Sequence, residues 1–225
     1  LWSGFNLMGN NKRIVVINPN SNQTVTEGMA EGLKPLLISG GPEIECITLE
    51  EGPFGIESQE DVDAVVFPLR ECISRIEKAD AYVIACYSDP GLDVCRKATR
   101  KPVFGIQESG VLTALSQGNK FGVIAITDGS IKRHLRYLRQ MKVMERLAKE
   151  RSAGLSVEES TAGQGTYNRL CEVGSQLRDL DGAETIILGC AGMASHRALL
   201  EKFLGIPVID PVQAATSMAM GALLL

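Results

Sequence analysis

Short apolar runs alternate with longer amphipathic stretches along the whole chain. Residues 13–17 (RIVVI) read as a buried strand, and Asn18-Pro19-Asn20-Ser21 ends it with turn-forming residues that cap a helix over 24–38. The same pattern predicts a strand at 43–49, a helix at about 59–78 and a strand at 81–85 that stops at Cys86. Ser88-Asp89-Pro90 then opens a helix to about residue 100, a cap residue with proline in the first turn, and 102–106 is the next strand. Strands separated by helices predict a parallel sheet with helices on its faces.

The order then recurs. A strand is expected at 121–126, a helix at 130–150, a strand at 154–158, a helix at 167–180 and a strand at 185–189 stopping at Cys190; a helix through residue 204 and a strand at 207–210 complete it. The letters match as well. Residues 79–86 (ADAYVIAC) align with 183–190 (AETIILGC) at an offset of 104, Pro102-Val103 with Pro207-Val208 at 105, and Ile17 to Ser21 with Ile126 to Ser130 at 109. The expected architecture is α/β: two similar halves, each with a four-stranded parallel sheet, related by a pseudo-two-fold axis around an interdomain cleft. Residues 12–107 plus 212–225 would form the first half and 108–211 the second, with helices at 108–117 and 212–224 crossing between them. Ligands of open parallel sheets bind beyond the carboxyl ends of the strands, where both repeats place a cysteine.

Composition narrows the classes. The 225 residues are 44% hydrophobic and 22% charged, a globular balance, and 23 basic against 27 acidic residues leave a net charge of −4. No global field draws such a chain to nucleic acid or to an anionic membrane. The basic run Lys132-Arg133-His134 with Arg136 and Arg139 reads as a solvated helix face. The longest mostly apolar stretch, 214–225, is shorter than the ~20 residues of a membrane helix. The opening residues 1–11 lack the charged start and cleavage pattern of a secretory signal, so a cytoplasmic protein is expected. Neither GxGxxG nor GxxxxGK[ST] follows any strand, and no CxxC pair points to zinc or a redox site, so neither a nucleotide nor a metal is expected.

Six cysteines remain to be sorted. Cys46, Cys72, Cys95 and Cys171 sit in strand or helix patterns and read as small core hydrophobes. Cys86 and Cys190 each end a buried strand before a loop-to-helix transition, where free N–H groups and the helix dipole lower a thiol pKa. Chemistry on two opposed faces of a planar carbon needs two similar groups in mirror-related places, and a duplicated half supplies them. His134 in the basic helix and His196, six residues past Cys190, offer little for a Cys-His pair. Asn18 and Ser21 after the first strand, and Thr127 at the equivalent place in the second half, can offer polar groups to a ligand oxygen.

These motifs together resemble the hydantoin and allantoin racemase branch of the aspartate/glutamate/hydantoin racemase superfamily. The residues that carry the resemblance are Ile17 to Ser21, Gly52-Pro53 with Ile56-Glu57-Ser58, Cys86 with Asp89-Pro90-Gly91, Leu188-Gly189-Cys190-Ala191-Gly192-Met193 and Pro207 to Pro211. It implies two flavodoxin-like halves, chemistry without a cofactor, Cys86 and Cys190 as the acid/base pair, and a homo-oligomer whose natural chain extends further at the C-terminus. Tyr87, Ser88, Asp89, Ala191 and Gly192 join Asn18, Ser21 and Thr127 as expected substrate-binding residues. Arylmalonate decarboxylases keep only the second cysteine, so the pair favours racemisation; maleate cis-trans isomerases keep both and stay as an alternative. Amino-acid racemases of the superfamily usually have an Asn-Thr pair after the first cysteine, where this chain has Tyr87-Ser88. Many hydantoin racemases have a Thr-Thr pair where this chain has Thr127-Asp128, which leaves the substrate side group open. The expected activity is racemisation of a 5-substituted hydantoin or allantoin through an enolate, with a non-catalytic small-molecule-binding protein as the reading from another class.

Overall fold

A computed structural model describes residues 12–162 and 165–225; the opening stretch 1–11 lies outside the described residues. The first sheet is built from β1 (Arg13–Asn18), β2 (Glu43–Thr48), β3 (Ala81–Ile84) and β4 (Val103–Gly105), all parallel, in the order β2-β1-β3-β4. The second contains β5 (Phe121–Ala125), β6 (Leu147–Ser152), β7 (Thr185–Leu188) and β8 (Val208–Ile209), in the order β6-β5-β7-β8. The two sheets therefore have one topology, and the match of β3 with β7 is kept in their pairing, whereas the counterpart of Ile17 is Ile124 rather than the Ile126 that the letters suggest. Ala85 N donates to Ile17 O at 2.8 Å in the first, and Gly189 N to Ile124 O at 2.8 Å in the second.

Helix α1 (Gln23–Leu33) follows β1, and α2 (Gln59–Ala64) and α3 (Val66–Arg75) follow β2. After β3 comes α4 (Leu92–Ala98), and after β4 comes α5 (Ile106–Gln117). The second half carries α6 (Asp128–Gln140), α7 (Val157–Ala162), α8 (Thr166–Asp179), a 3-10 turn over Ala191–His196, α9 (Arg197–Leu204) and α10 (Pro211–Ala222). Among the described residues no helix is long and apolar enough to cross a membrane.

Alternation along β1 feeds two cores. Val15 and Ile17 turn toward α3 and share a core with its Leu69 and Ile73 and with Ile84 of β3. Ile14 and Val16 turn the other way into a larger core that runs unbroken into the second half through Ile106, Val123, Ile187 and Ala215. Helices α5 and α10 pack on each other in that core; α10 lies on β1, β3 and β4, and α5 reaches β5, β7 and β8.

The helix expected over 130–150 is shorter than its pattern. It stops at Gln140, where Lys142 takes a left-handed φ of 58°, and Leu147–Ser152 is strand β6. The strand expected at 154–158 is instead a turn at Gly154, φ 67°, followed by the start of α7. β6 is an edge strand paired only with β5, so its LAKERS sequence lacks the apolar run that marks a central strand. The other differences are small: Val65 interrupts the helix expected over 59–78, and the 24–38 helix ends in a 3-10 turn with Pro35 at its start.

Candidate active site

One pocket lies between the halves at the carboxyl ends of both sheets. Asn20, Val25, Ile56, Ala85, Cys86, Tyr87 and Ser88 line it from the first half, and Ile126, Arg133, His134, Val157, Gly189, Cys190 and Ala191 from the second. The two strand-end cysteines thus face one cavity, each delivered by the same device. A strand stops two residues before the thiol, and the chain then turns, with Asp89 N donating to Cys86 O and Met193 N to Cys190 O. All six cysteines are free thiols. Cys95 and Cys171 are buried in the cores, and Cys46 and Cys72 are half-buried against them.

Each thiol has its own N–H donor: Ser88 N–H points at Cys86 and Gly192 N–H at Cys190. Ser160 Oγ of α7 adds a contact to Cys190 Sγ at 3.5 Å. Strand-end N–H groups were expected to lower both pKa values, and they do act in that direction, but burial outweighs them. Loss of water pushes Cys86 up to about 12, with the nearby Cys190 and Asp89 adding to the rise and the Ser88 N–H and Arg133 opposing it. Cys190 is also raised, by burial first and by Glu57 last, against the Ser160 and Gly192 hydrogen bonds. The charge of either thiolate disfavours that of the other, so the cavity holds one thiolate far more readily than two.

Several expected site residues prove to be braces. Asn18 is fully buried, its Nδ2 donating to Asn20 Oδ1, Asn22 O and Thr26 Oγ1, so it shapes the loop that presents Asn20 to the pocket. Ser21 N donates to Pro53 O, and the cap of α1 is Asn22. Asp89, at a left-handed φ of 42°, accepts from Gln107 N and Glu108 N and ties the Cys86 turn to the start of α5. Burial lifts its pKa to about 7 against those two N–H groups. A Cβ on Gly105 would come within 2.3 Å of that carboxyl group, so only glycine lets β4 pass. Thr127 caps α6 by accepting from Ser130 N. Asp128 is exposed in the first turn of α6, where its charge suits the helix dipole, and lies outside the pocket lining. Tyr87, Ser88 and Ala191 line the pocket, whereas Gly192 sits behind it.

Asn20, Arg133 and His134 are polar lining residues that sequence reasoning passed over. His134 was masked by the charges around it, yet Ser130, His134 and Leu138 form the buried stripe of α6 at a spacing of four. His196 stands apart, half-buried and stacked on Tyr167 at 6.3 Å, its pKa lowered by burial. Among the described residues no three His, Cys, Asp or Glu side chains cluster as metal ligands.

The chain belongs to the Asp/Glu/Hydantoin racemase family, which it matches over residues 14–219. Several relatives are racemases, and the chain is an isomerase of this family. A hydantoin racemase from Paenarthrobacter aurescens is 37% identical, over 92% of this chain and 89% of its own length. One from Pseudomonas sp. (strain NS671) is 36% identical over 92% and 84%. The structure of the allantoin racemase from Klebsiella pneumoniae superposes with a TM-score of 0.90 at 28% identity, covering 95% of this chain and 88% of that one.

Proposed function

We propose that this isomerase racemises a cyclic ureide, a 5-substituted hydantoin or allantoin, by two-base proton transfer between Cys86 and Cys190. The observation that carries the reading is the pair of thiols, one from each half and each after an equivalent strand, lining a single small pocket. The ring C–H lies beside a carbonyl. One cysteine, as thiolate, takes the proton and becomes a thiol, while the C–H electron pair moves into an enolate whose oxygen bears the charge. The other cysteine, as thiol, gives its proton to the opposite face and becomes a thiolate. The next turnover runs in reverse, and no further acid, base or cofactor is required. Val25, Ile56, Ile126 and Val157 supply apolar walls, and Asn20, Arg133 and His134 supply polar groups. The division at residue 107, with 212–225 returning to the first half, is part of the same proposal and is supported by α10 lying on β1, β3 and β4. So are a cytoplasmic location and a homo-oligomer, which rest on composition and resemblance.

The test is incubation in D₂O with single enantiomers of several hydantoins, allantoin, aspartate and glutamate, and with maleate and arylmalonates, followed by polarimetry and proton NMR. Racemisation of a cyclic ureide with deuterium arriving at the ring carbon is expected. Racemisation that retains protium through many turnovers would exclude the mechanism, and activity confined to amino acids, maleate or arylmalonates would exclude the substrate.

A further inference from the structure

The mechanism leaves a charge on the enolate oxygen. Some donors near the pocket are already engaged: Ser88 N–H is directed at Cys86, Gly192 N–H at Cys190, and the Asn18 amide is held within its loop. Arg133 Nε and the Tyr87 hydroxyl are buried without partners at the pocket, but His134 is the lining donor with a carboxyl group fixed behind it. It lines the pocket from α6, and its Nδ1 meets Glu150 Oε1 of β6 at 2.5 Å with both side chains almost fully buried. The ring is fixed further by Tyr87, whose ring stands edge-on to it at 4.9 Å between centroids. A histidine pinned at Nδ1 leaves Nε2 for a ligand.

Glu150 Oε2 has no partner among the described residues and sees no water, so this carboxyl group is committed to the Nδ1 side of the ring. Nε2 is then the ring nitrogen that carries a hydrogen toward a ligand, as imidazolium on the carboxylate or as imidazole accepting at Nδ1.

We propose that His134, oriented by Glu150, presents Nε2–H to the substrate oxygen on which charge develops as the ring proton leaves. The inference rests on the two-thiol reading above. An enolate oxygen lies in the plane of the reacting carbon, between the thiol faces, so one donor there serves both directions of racemisation alike. That symmetry separates His134 from the cysteines.

The test compares the parent with His134→Leu, His134→Gln and Glu150→Gln, measuring kcat and KM from each enantiomer, deuterium exchange of each enantiomer, and thermal unfolding. For His134→Leu the expected result is a kcat about 100-fold lower or worse, as for loss of one oxyanion donor. The factor should be the same from either enantiomer, with KM changed far less. His134→Gln fills similar space and carries an amide N–H, so it should recover at least tenfold of that loss; it also serves if the leucine variant fails to fold. Glu150→Gln should lower kcat equally from both enantiomers. Near-parental kcat in His134→Leu, equal losses in the Leu and Gln variants, or a loss confined to one enantiomer each overturns the assignment. A parent that racemises no cyclic ureide sinks the two-thiol reading itself, whereas an active parent indifferent to His134 sinks only the donor.

Discussion

Burial sets how the two thiols can work. With Cys86 pushed up to about 12 and Cys190 raised in the same direction, the empty site at neutral pH holds both protons, and the reactive form with one thiolate is scarce. Below the pKa of a thiol its thiolate fraction grows tenfold per pH unit, so kcat/KM should climb with pH from 6.5 to 8.5 without levelling off; a plateau below pH 8 would show a thiol of ordinary or lowered pKa. Cys86→Ser and Cys190→Ser should each abolish racemisation, since a hydroxyl is too weak an acid or base to replace either thiol. Each variant should still exchange the C–H of one enantiomer with solvent, and the preferred enantiomer should be opposite in the two, as enantiomer-resolved NMR in D₂O can show. Near-normal turnover in either would end the two-thiol account. The cysteines were legible because the repeat singles out two of six. His134 was not, because a charged sequence around a buried position looks the same as a charged surface until the i, i+4 stripe of Ser130, His134 and Leu138 is traced.

Among the elements, the part that sequence misread is also the part that supports one thiol. An edge strand needs no apolar run, so β6 looked like the tail of α6, and α7 looked like the strand that β6 had left vacant. Yet β6 carries Glu150 to His134, and α7 brings Ser160 to Cys190 and Val157 to the pocket wall. The turn after Cys190 lies close on α7: a Cβ on Gly192 would come within 2.5 Å of Ser160 Oγ and 2.6 Å of Thr161 Oγ1. Gly192→Ala should therefore push the turn off α7, with a stability loss of about 1–3 kcal/mol as for an overpacked core. Because the same shift moves the N–H that faces Cys190, exchange at that thiol should fall more than exchange at Cys86. Equal effects on both would mean that the strain spreads through the fold instead. Elements with apolar runs, β1, β3, β5 and β7, were readable at once because central strands must bury both faces.

For the molecule as a whole, the cleft is nearly shut. The cavity between the halves has a volume of about 30 Å³, room for a water or two, so on the proposed function the halves should part to admit a five-membered ring. Glu57 fastens them: its carbonyl accepts from Arg133 Nη1 at 2.9 Å, and its carboxylate accepts from Val157 N at 3.0 Å. Glu57→Ala should leave thermal stability close to the parent, since the side chain is exposed, while KM rises about 3- to 10-fold through loss of one hydrogen bond in the closed form. The same change removes a negative charge that raises Cys190, so exchange at that thiol should shift toward lower pH. Unchanged KM would mean that closure does not depend on this fastening. The two-sheet plan was readable from the repeat, but the fastening was not, because it joins Glu57 to residues 76 and 100 positions away through two side chains and two backbone groups. The placement of α10 has an effect of another kind, on how the chain is made. Its apolar side covers β1, β3 and β4, strands that leave the ribosome long before it does. Through the synthesis of the whole second half one face of the first sheet is covered only in part, by α1, so the halves cannot mature one after the other as beads on a string. The early half must wait, exposed to wrong partners and dependent on whatever shelters nascent chains, until the later half has been finished and the chain comes back to close it.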